Sequence, residues 1–239
     1  MTTNLTASVV RRAELGRDRE TLFRLMDRYY LNVTESGFYR DLDEKDWVVL
    51  LRDRSSGKIV GFTALMMLRT RFANQNFLVF VSGDTIVQPE NWGTVALPRT
   101  WMRHVFATAG QYPDHIPYWM LISASFRTYR FLSVFATCFY PRHEHPMPAD
   151  VMVLRNHFAT IKYGSDYQSN TGIVRFKEPT PVRDEIAGVS DGRLSDPHIA
   201  YLLQTNPGWR GGDELVCIAR ADRQNLTRAG RRMLGETFR

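Results

Sequence analysis

The sequence predicts an α/β fold, and three stretches carry that expectation. Residues 76–106 run from an apolar, β-branched and aromatic segment through a turn into a segment with helical spacing. Residues 47–68 place two apolar runs around Asp53-Arg54-Ser55-Ser56-Gly57-Lys58, which reads as a hairpin. Strand-like runs at 116–124 and 214–219 are interspersed with helix-like ones at 126–139 and 150–163.

Within the central stretch, Phe77-Leu78-Val79-Phe80-Val81 and its continuation to Val87 form a long buried strand, bent at Gly83. After the turn, Val95, Trp101, Met102, Val105 and Phe106 recur at helical spacing, with Pro98 early enough for its missing N–H to be tolerated. Gly93 and Thr94 stand at the mouth of that helix. Free N–H groups and the positive end of the helix dipole make such a mouth a seat for phosphate. Upstream, residues 8–13 read as a first strand. Asp18 then caps a helix over 19–32 whose apolar face holds Leu22, Phe23, Leu25, Met26, Tyr29 and Tyr30. Residues 34–46 form a polar, acidic connection before the hairpin. Beyond residue 143, Pro146 and Pro148 suggest a linker. A helix over 150–163, a strand over 171–176, a short helix near 198–204, a strand over 214–219 and a basic helix over 225–234 follow.

This order of elements resembles the GNAT superfamily of acyl-CoA-dependent N-acyltransferases. In that family the fourth strand feeds a pyrophosphate loop, Q/R-x-x-G-x-G/A, and then a helix. The matching stretch here is Glu90-Asn91-Trp92-Gly93-Thr94-Val95, preceded by Val87-Gln88-Pro89. Only the first glycine is kept: Glu90 opens the loop, Trp92 replaces the common arginine and Val95 the second glycine. The hairpin, LLRDRSSGKIVGFTALMML, is similar to the family's second and third strands. Cys138-Phe139-Tyr140-Pro141 resembles the family ending Y-x-x-x-G-F-x-P, with Cys138 at the glycine and Val134 at the general-acid tyrosine. Tyr129 lies five residues earlier, and whether it substitutes is left open. The resemblance implies a mixed, largely antiparallel central sheet flanked by helices. It also implies a core over residues 1–142, with 143–239 an α+β elaboration that completes the same sheet.

What the family does is then the expectation for function: transfer of an acyl group from a CoA or acyl carrier protein thioester to an amine, on a small molecule or a peptide. A silent module of the same fold that binds acyl-CoA or a protein partner is the alternative. Donor contacts fall on Ile86, Val87 and Gln88, whose backbone N–H groups would polarise the carbonyl, on Trp92, Gly93, Thr94 and Val95 at the helix mouth, and on Ser123 and Ser125 at the end of the fifth strand. A serine at a strand end also reads as a helix cap.

Acyl transfer to an amine needs a group that takes a proton from the ammonium. Asp84, in an otherwise apolar strand, is the candidate, because partial burial raises a carboxyl pKa toward a useful value. The competing reading is an aspartate hydrogen-bonded at a bulge. Met26, Tyr30, Met66 and Met67 are candidates to line a tunnel for a long acyl chain.

The 239 residues are 44% hydrophobic, enough to fill a core. A net charge of +6 and a pI near 9.5 favour an anionic partner, which includes CoA phosphates and an acidic carrier. The basic residues are dispersed, which argues against nucleic acid. Cys138 and Cys217 sit in apolar runs without metal spacing, so buried reduced thiols and a cytoplasmic location are expected. No metal site is expected, since His143-Glu144-His145 has no evident third ligand. No apolar run reaches the length of a membrane span.

Overall fold

The computed structural model describes residues 4–143, 145–188 and 195–235. Leu5–Arg11 forms β1, and two helices follow, α1 (Asp18–Tyr29) and α2 (Glu35–Asp43). Next come β2 (Trp47–Asp53), β3 (Ile59–Phe72), β4 (Gln75–Val87), α3 (Ala96–Ala109), β5 (Ile116–Ser123) and α4 (Phe126–Phe135). The chain continues through β6 (Phe139–Tyr140), α5 (Ala149–Tyr163), β7 (Tyr167–Gln168), β8 (Ile173–Val174), α6 (Asp184–Ala187), α7 (Pro197–Thr205), β9 (Glu214–Arg220) and α8 (Arg228–Leu234).

The strands join in one sheet of order β1-β2-β3-β4-β5-β9-β8-β7, with β6 also pairing β9. Every pairing is antiparallel except β4 with β5. This is the mixed, largely antiparallel α/β sheet flanked by helices that the sequence predicts. β9, from the distal part of the chain, hydrogen-bonds directly to β5, Leu215 opposite Ser123.

Helices cover both faces. On one, α1 and α2 pack Leu22, Leu25, Phe38 and Leu42 onto Val48, Leu50, Phe62 and Ile86. On the same face α5 lays Phe158 and Ala159 against Phe77, Val79, Val81 and Met120. The other face is buried by Trp101, Met102 and Val105 of α3 and by Phe126, Tyr129 and Leu132 of α4.

Several local expectations change. The polar stretch 34–46 contains α2, which Thr34 caps by accepting from Gly37 N–H at 3.1 Å. Asp18 is not a cap: it lies in the first turn of α1 and pairs with Arg52 of β2. α4 ends at Phe135, four residues earlier than the apolar spacing suggests, and Cys138 in the following turn is exposed, while Cys217 is buried in β9.

The strand pair β3–β4 changes register beside the site. Phe62 pairs Ile86 and Ala64 pairs Gly83, so Thr63 stands opposite two residues, Asp84 and Thr85. That is a β-bulge, and Asp84 takes the left-handed conformation, φ 42°, that aspartate tolerates better than most residues. The bend sits one residue later than Gly83. Just past the bulge, Gly61 faces Val87 so closely that a Cβ would lie 2.7 Å from the Ile86 carbonyl oxygen. Gly61→Ala should therefore push β3 from β4 and cost about 1–3 kcal/mol, read as a lower urea midpoint.

Candidate active site

β4 and β5 run side by side from Phe77 opposite Ile116 to Ser82 opposite Leu121, and pairing stops there. Past that point β4 stays with β3, Ile86 against Phe62, and β5 stays with β9, Ile122 against Val216. A gap opens between them. The strands diverge where the bulge at Asp84–Thr85 twists β4 and removes its regular ladder groups.

A cavity of about 590 Å³ occupies this gap and the space beneath it. Gly83, Asp84 and Thr85 form one rim, and residues from Leu121 to Ser125 form the other. It reaches Thr128 on α4, and on the opposite face it is lined by α2 and the end of α5. Met26, Tyr30, Phe38 and Met66 supply apolar wall, while Asp41, Glu44, Lys45, Lys162 and Glu214 make the rest strongly charged.

The charges are ordered. The Lys45 ammonium is 2.7 Å from Asp41 Oδ1, and the lysine is only 8% exposed. Lys162 pairs with Glu44. The Asp41 and Asp84 carboxyls are hydrogen-bonded to each other, which requires a proton between them. Burial opposes charge on both, but the Lys45 ammonium and the hydrogen bond outweigh it at Asp41 and hold that carboxyl below the usual range. Asp84 goes the other way: burial and the adjacent Asp41 charge raise it well above an ordinary carboxyl, against the pull of Lys45. The proton of the pair belongs to Asp84. For Lys45, burial works against the ammonium, and Asp84 and Asp41 together reverse this and raise its pKa.

Glu214, the first residue of β9, faces the same space. Burial, and then the charge of Asp41, push its pKa up to about 7. Tyr30 and Tyr163 also line the cavity, with hydroxyl pKa values raised first by burial and then by Glu214.

Of the residues singled out from sequence, Asp84 is on the cavity rim, and Ser123 and Ser125 are on the other. Both serines are engaged in capping: Ser123 Oγ donates to the Ser125 carbonyl at 2.7 Å, and Ser125 Oγ accepts from Arg127 N–H. Ile86 is buried, Val87 pairs Gly61, and Gln88 N–H donates to the Val60 carbonyl at 2.9 Å, so Gln88 offers no amide for polarising a thioester. Trp92, Gly93, Thr94 and Val95 form the loop before α3 and do not line the cavity. In that loop Gly93 has φ 91° with no atom within 4 Å of where a Cβ would stand. Trp92 donates its indole N–H to the Val87 carbonyl at 2.8 Å, and the Arg127 guanidinium stacks on its ring at 3.8 Å. Thr94 Oγ1 accepts from Ala96 N–H at the helix start.

Tyr129 is a correction. Its side chain is fully buried on the α3–α4 face, its hydroxyl donates to the Pro141 carbonyl at 2.9 Å, and burial raises its pKa far above that of a usable acid. Met67 is another. Adjacent strand residues face opposite sides, so Met66 lines the cavity while Met67 packs with the cluster on the other face. Asp41, Lys45 and Glu214 escaped the sequence reading. Thr34 followed by Phe38, Tyr39 and Leu42 carries the cap and spacing that would have exposed α2, and with it Asp41 and Lys45. Of His143-Glu144-His145, Glu144 lies outside the described residues, and no cluster of three metal-ligating side chains forms among those described. Among the same residues no helix is long and apolar enough to cross a membrane.

No family model matches the chain. No curated protein matches it either. Among solved structures it is similar to a probable N-acyltransferase of unknown function from Enterococcus faecalis V583, with 13% identity over 57% of this chain and 33% of that one, at a TM-score of 0.42. The chain thus spans about a third of that protein. It is similar to NAA60 of Arabidopsis thaliana in complex with acetyl-CoA at 14% identity, 60% and 90% coverage and a TM-score of 0.41. A third similar structure is glucosamine-6-phosphate N-acetyltransferase of Arabidopsis thaliana, at 16% identity, 54% and 88% coverage and a TM-score of 0.38. Likeness of this degree leaves the reaction to be argued from the cavity itself.

The raised carboxyls have a thermodynamic consequence. Asp84 and Glu214 both have folded-state pKa values above their unfolded ones, so the stability each contributes is fully present below the ordinary carboxylate range and is lost as pH rises from there, through about 7 for Glu214. The melting temperature should fall as pH rises from about 4.5 to about 7. Glu214→Gln should flatten that slope and melt above the wild type at the alkaline end, measured by calorimetry.

Proposed function

We propose that the chain is a GNAT-type N-acyltransferase that moves an acyl group from a CoA thioester to an amine. The observation that carries this reading is the gap between β4 and β5 with a proton-sharing carboxyl pair on its rim. An extended pantetheine arm laid in the gap meets backbone that the divergence leaves out of the ladder, at Asp84 and Thr85. Backbone N–H groups there are the donors suited to a thioester oxygen as it gains charge. Support for the phosphate end comes from the open, left-handed Gly93 at the mouth of α3 and from the Arg127 guanidinium beside it on Trp92.

The acceptor enters from the side of α2 and α5. Carboxyls dominate there, which favours an ammonium over a neutral or acidic nucleophile. Asp84 holds the proton of its pair and is placed to hand it on as the thiolate leaves. The apolar wall of Met26, Phe38 and Met66 shares the chamber with Asp41 and Glu214. Stripping water from those charges along a hydrocarbon tail is costly, so a short acyl donor is favoured over a fatty one. The exposed arginines Arg99 and Arg103 on α3 and Arg228 and Arg232 on α8 suit an acidic partner and keep a carrier-protein donor as the second form of thioester. The exposed Cys138 thiol fits a reducing compartment such as the cytoplasm.

Donor binding and turnover test the reading separately. Acetyl-CoA at 100 times its Kd should stabilise the chain by about 2.7 kcal/mol in thermal melts. Gly93→Glu should remove this shift and Gly93→Ala should keep it, since both carry the same backbone strain and differ in charge at the helix mouth. Stabilisation without turnover on any amine would instead fit a binding module.

Asp84→Asn, which preserves the left-handed bend, should lower kcat by about 10²–10⁴ with donor affinity unchanged. Across a donor series from acetyl to palmitoyl, the rate should be highest for the shortest acyl groups. Met66→Trp should steepen the loss with chain length, while a rate rising toward palmitoyl would reinstate the fatty-acyl tunnel.

A further inference from the structure

The proposed reaction needs two proton-transfer groups, one that takes a proton from the ammonium and one that gives a proton to the thiolate. Asp84 already carries the proton of the Asp41–Asp84 pair, because Lys45 holds Asp41 ionised. A carboxyl in that state cannot first accept a proton from the amine. Another group on the cavity wall has to do so.

Glu214 meets the geometric requirements. It begins β9, next to the end of β5, so it stands across the β4–β5 gap from the Asp84 bulge. Both residues line the one cavity, and both act electrostatically on Tyr30. Among the described residues the Glu214 carboxyl has no ion-pair or hydrogen-bond partner, whereas the other cavity acids are committed: Asp41 to Lys45, Glu44 to Lys162 and Glu178 to Arg40. Asp166, in the turn after α5, also lines the cavity.

We propose that Glu214 is the general base of the acyl transfer and Asp84 the general acid, with the acceptor ammonium bound between them. This assignment rests on the acyltransferase reading and deepens it. The steps balance. The Glu214 carboxylate takes one proton from R–NH₃⁺, and the neutral nitrogen forms a bond to the thioester carbonyl carbon. Collapse breaks the C–S bond, and the leaving thiolate takes the Asp84 proton. The nitrogen of the new amide gives its surplus proton to Asp84, restoring the pair, and Glu214 releases its proton to water. A pKa near 7 at Glu214 and a higher one at Asp84 suit these opposite roles.

The charged groups that set the titration of Glu214 are Asp41 on α2 and Lys45 just past its end, and Asp84 on β4 shares the cavity wall with it. Tyr30 beyond α1 and Tyr163 at the end of α5 also face it, with Lys162 and Lys177 on the same wall.

The test compares wild type with Glu214→Gln on two acceptors, a strongly basic alkylamine and a weakly basic amine that is already neutral at pH 7, using acetyl-CoA as donor. With the alkylamine, wild-type kcat/KM should fall as pH drops through about 7. Glu214→Gln should lose that limb and fall by about 10²–10⁴ at pH 7. With the weakly basic amine it should stay within a few-fold of wild type. Unchanged stabilisation by acetyl-CoA in melts shows that the variant is folded and binds donor. An intact acidic limb in Glu214→Gln, or an equal loss on both amines, overturns the assignment. Absence of wild-type turnover with every amine overturns the acyltransferase reading and the assignment with it.

Discussion

Two neighbouring strands that cannot stay paired determine what this molecule can do. β4 and β5 form the one parallel contact in the sheet among the described residues, and it lasts from Phe77 to Ser82. Beyond it, β4 is held by β3 through Phe62 and Gly61, and β5 is held by β9 through Val216 and Leu215. The extra residue at the bulge increases the local twist, so the two pairs of strands turn apart. A sheet interior without side-chain filling would collapse. Here the opening is propped by α2 on one side and the end of α5 on the other, each anchored by its own apolar cluster.

The electrostatics follow from placing charge in that opening. A lysine buried as deeply as Lys45 keeps its proton only with carboxylates beside it, and removing one partner of such a group is more costly than the pair is stabilising. Asp41 supplies the direct contact, and because two carboxyls in contact cannot both ionise, Asp84 keeps the proton of the pair. The outcome is a fixed division of labour: one ionised carboxyl, one neutral carboxyl and one ammonium. Glu214 stands outside this triad and answers to the same field without being neutralised by it. Carboxyls that differ in proton affinity within one cavity are the arrangement acid–base chemistry uses near neutral pH.

Much of the sheet was legible in the sequence because strands advertise themselves locally. The hairpin around Ser55-Ser56-Gly57, the run at Phe77 and the late strand at Glu214 all show as apolar or β-branched segments bounded by turns. The face assignment of Met67 was also available, since Met66 and Met67 are adjacent on a strand and cannot both face one cavity. The site was less legible for a different reason. Asp41, Asp84 and Glu214 are far apart along the chain and meet only when α2 folds under β4 and β9 joins β5. Asp84 was visible because an acid in an apolar strand is locally inconsistent. Asp41 and Lys45 sit in a stretch where charge is unremarkable, and Glu214 looks like the polar start of a strand. Tyr129 drew notice because it lies five residues before Val134, yet α4 turns it into the core, where it donates to the Pro141 carbonyl.

The proton shared by Asp84 and Asp41 is the point at which fold, electrostatics and chemistry meet. Carbon-13 NMR of the aspartate carboxyl carbons near pH 7 observes it directly, with Asp84→Asn and Asp41→Asn used for assignment. One aspartate should show the shift of a neutral carboxylic acid, and that signal should vanish in Asp84→Asn. Asp41 should appear ionised and stay so below the ordinary carboxylate range. A spectrum in which every aspartate is ionised at neutral pH would contradict the account, leaving no proton at the gap for Asp84 to give.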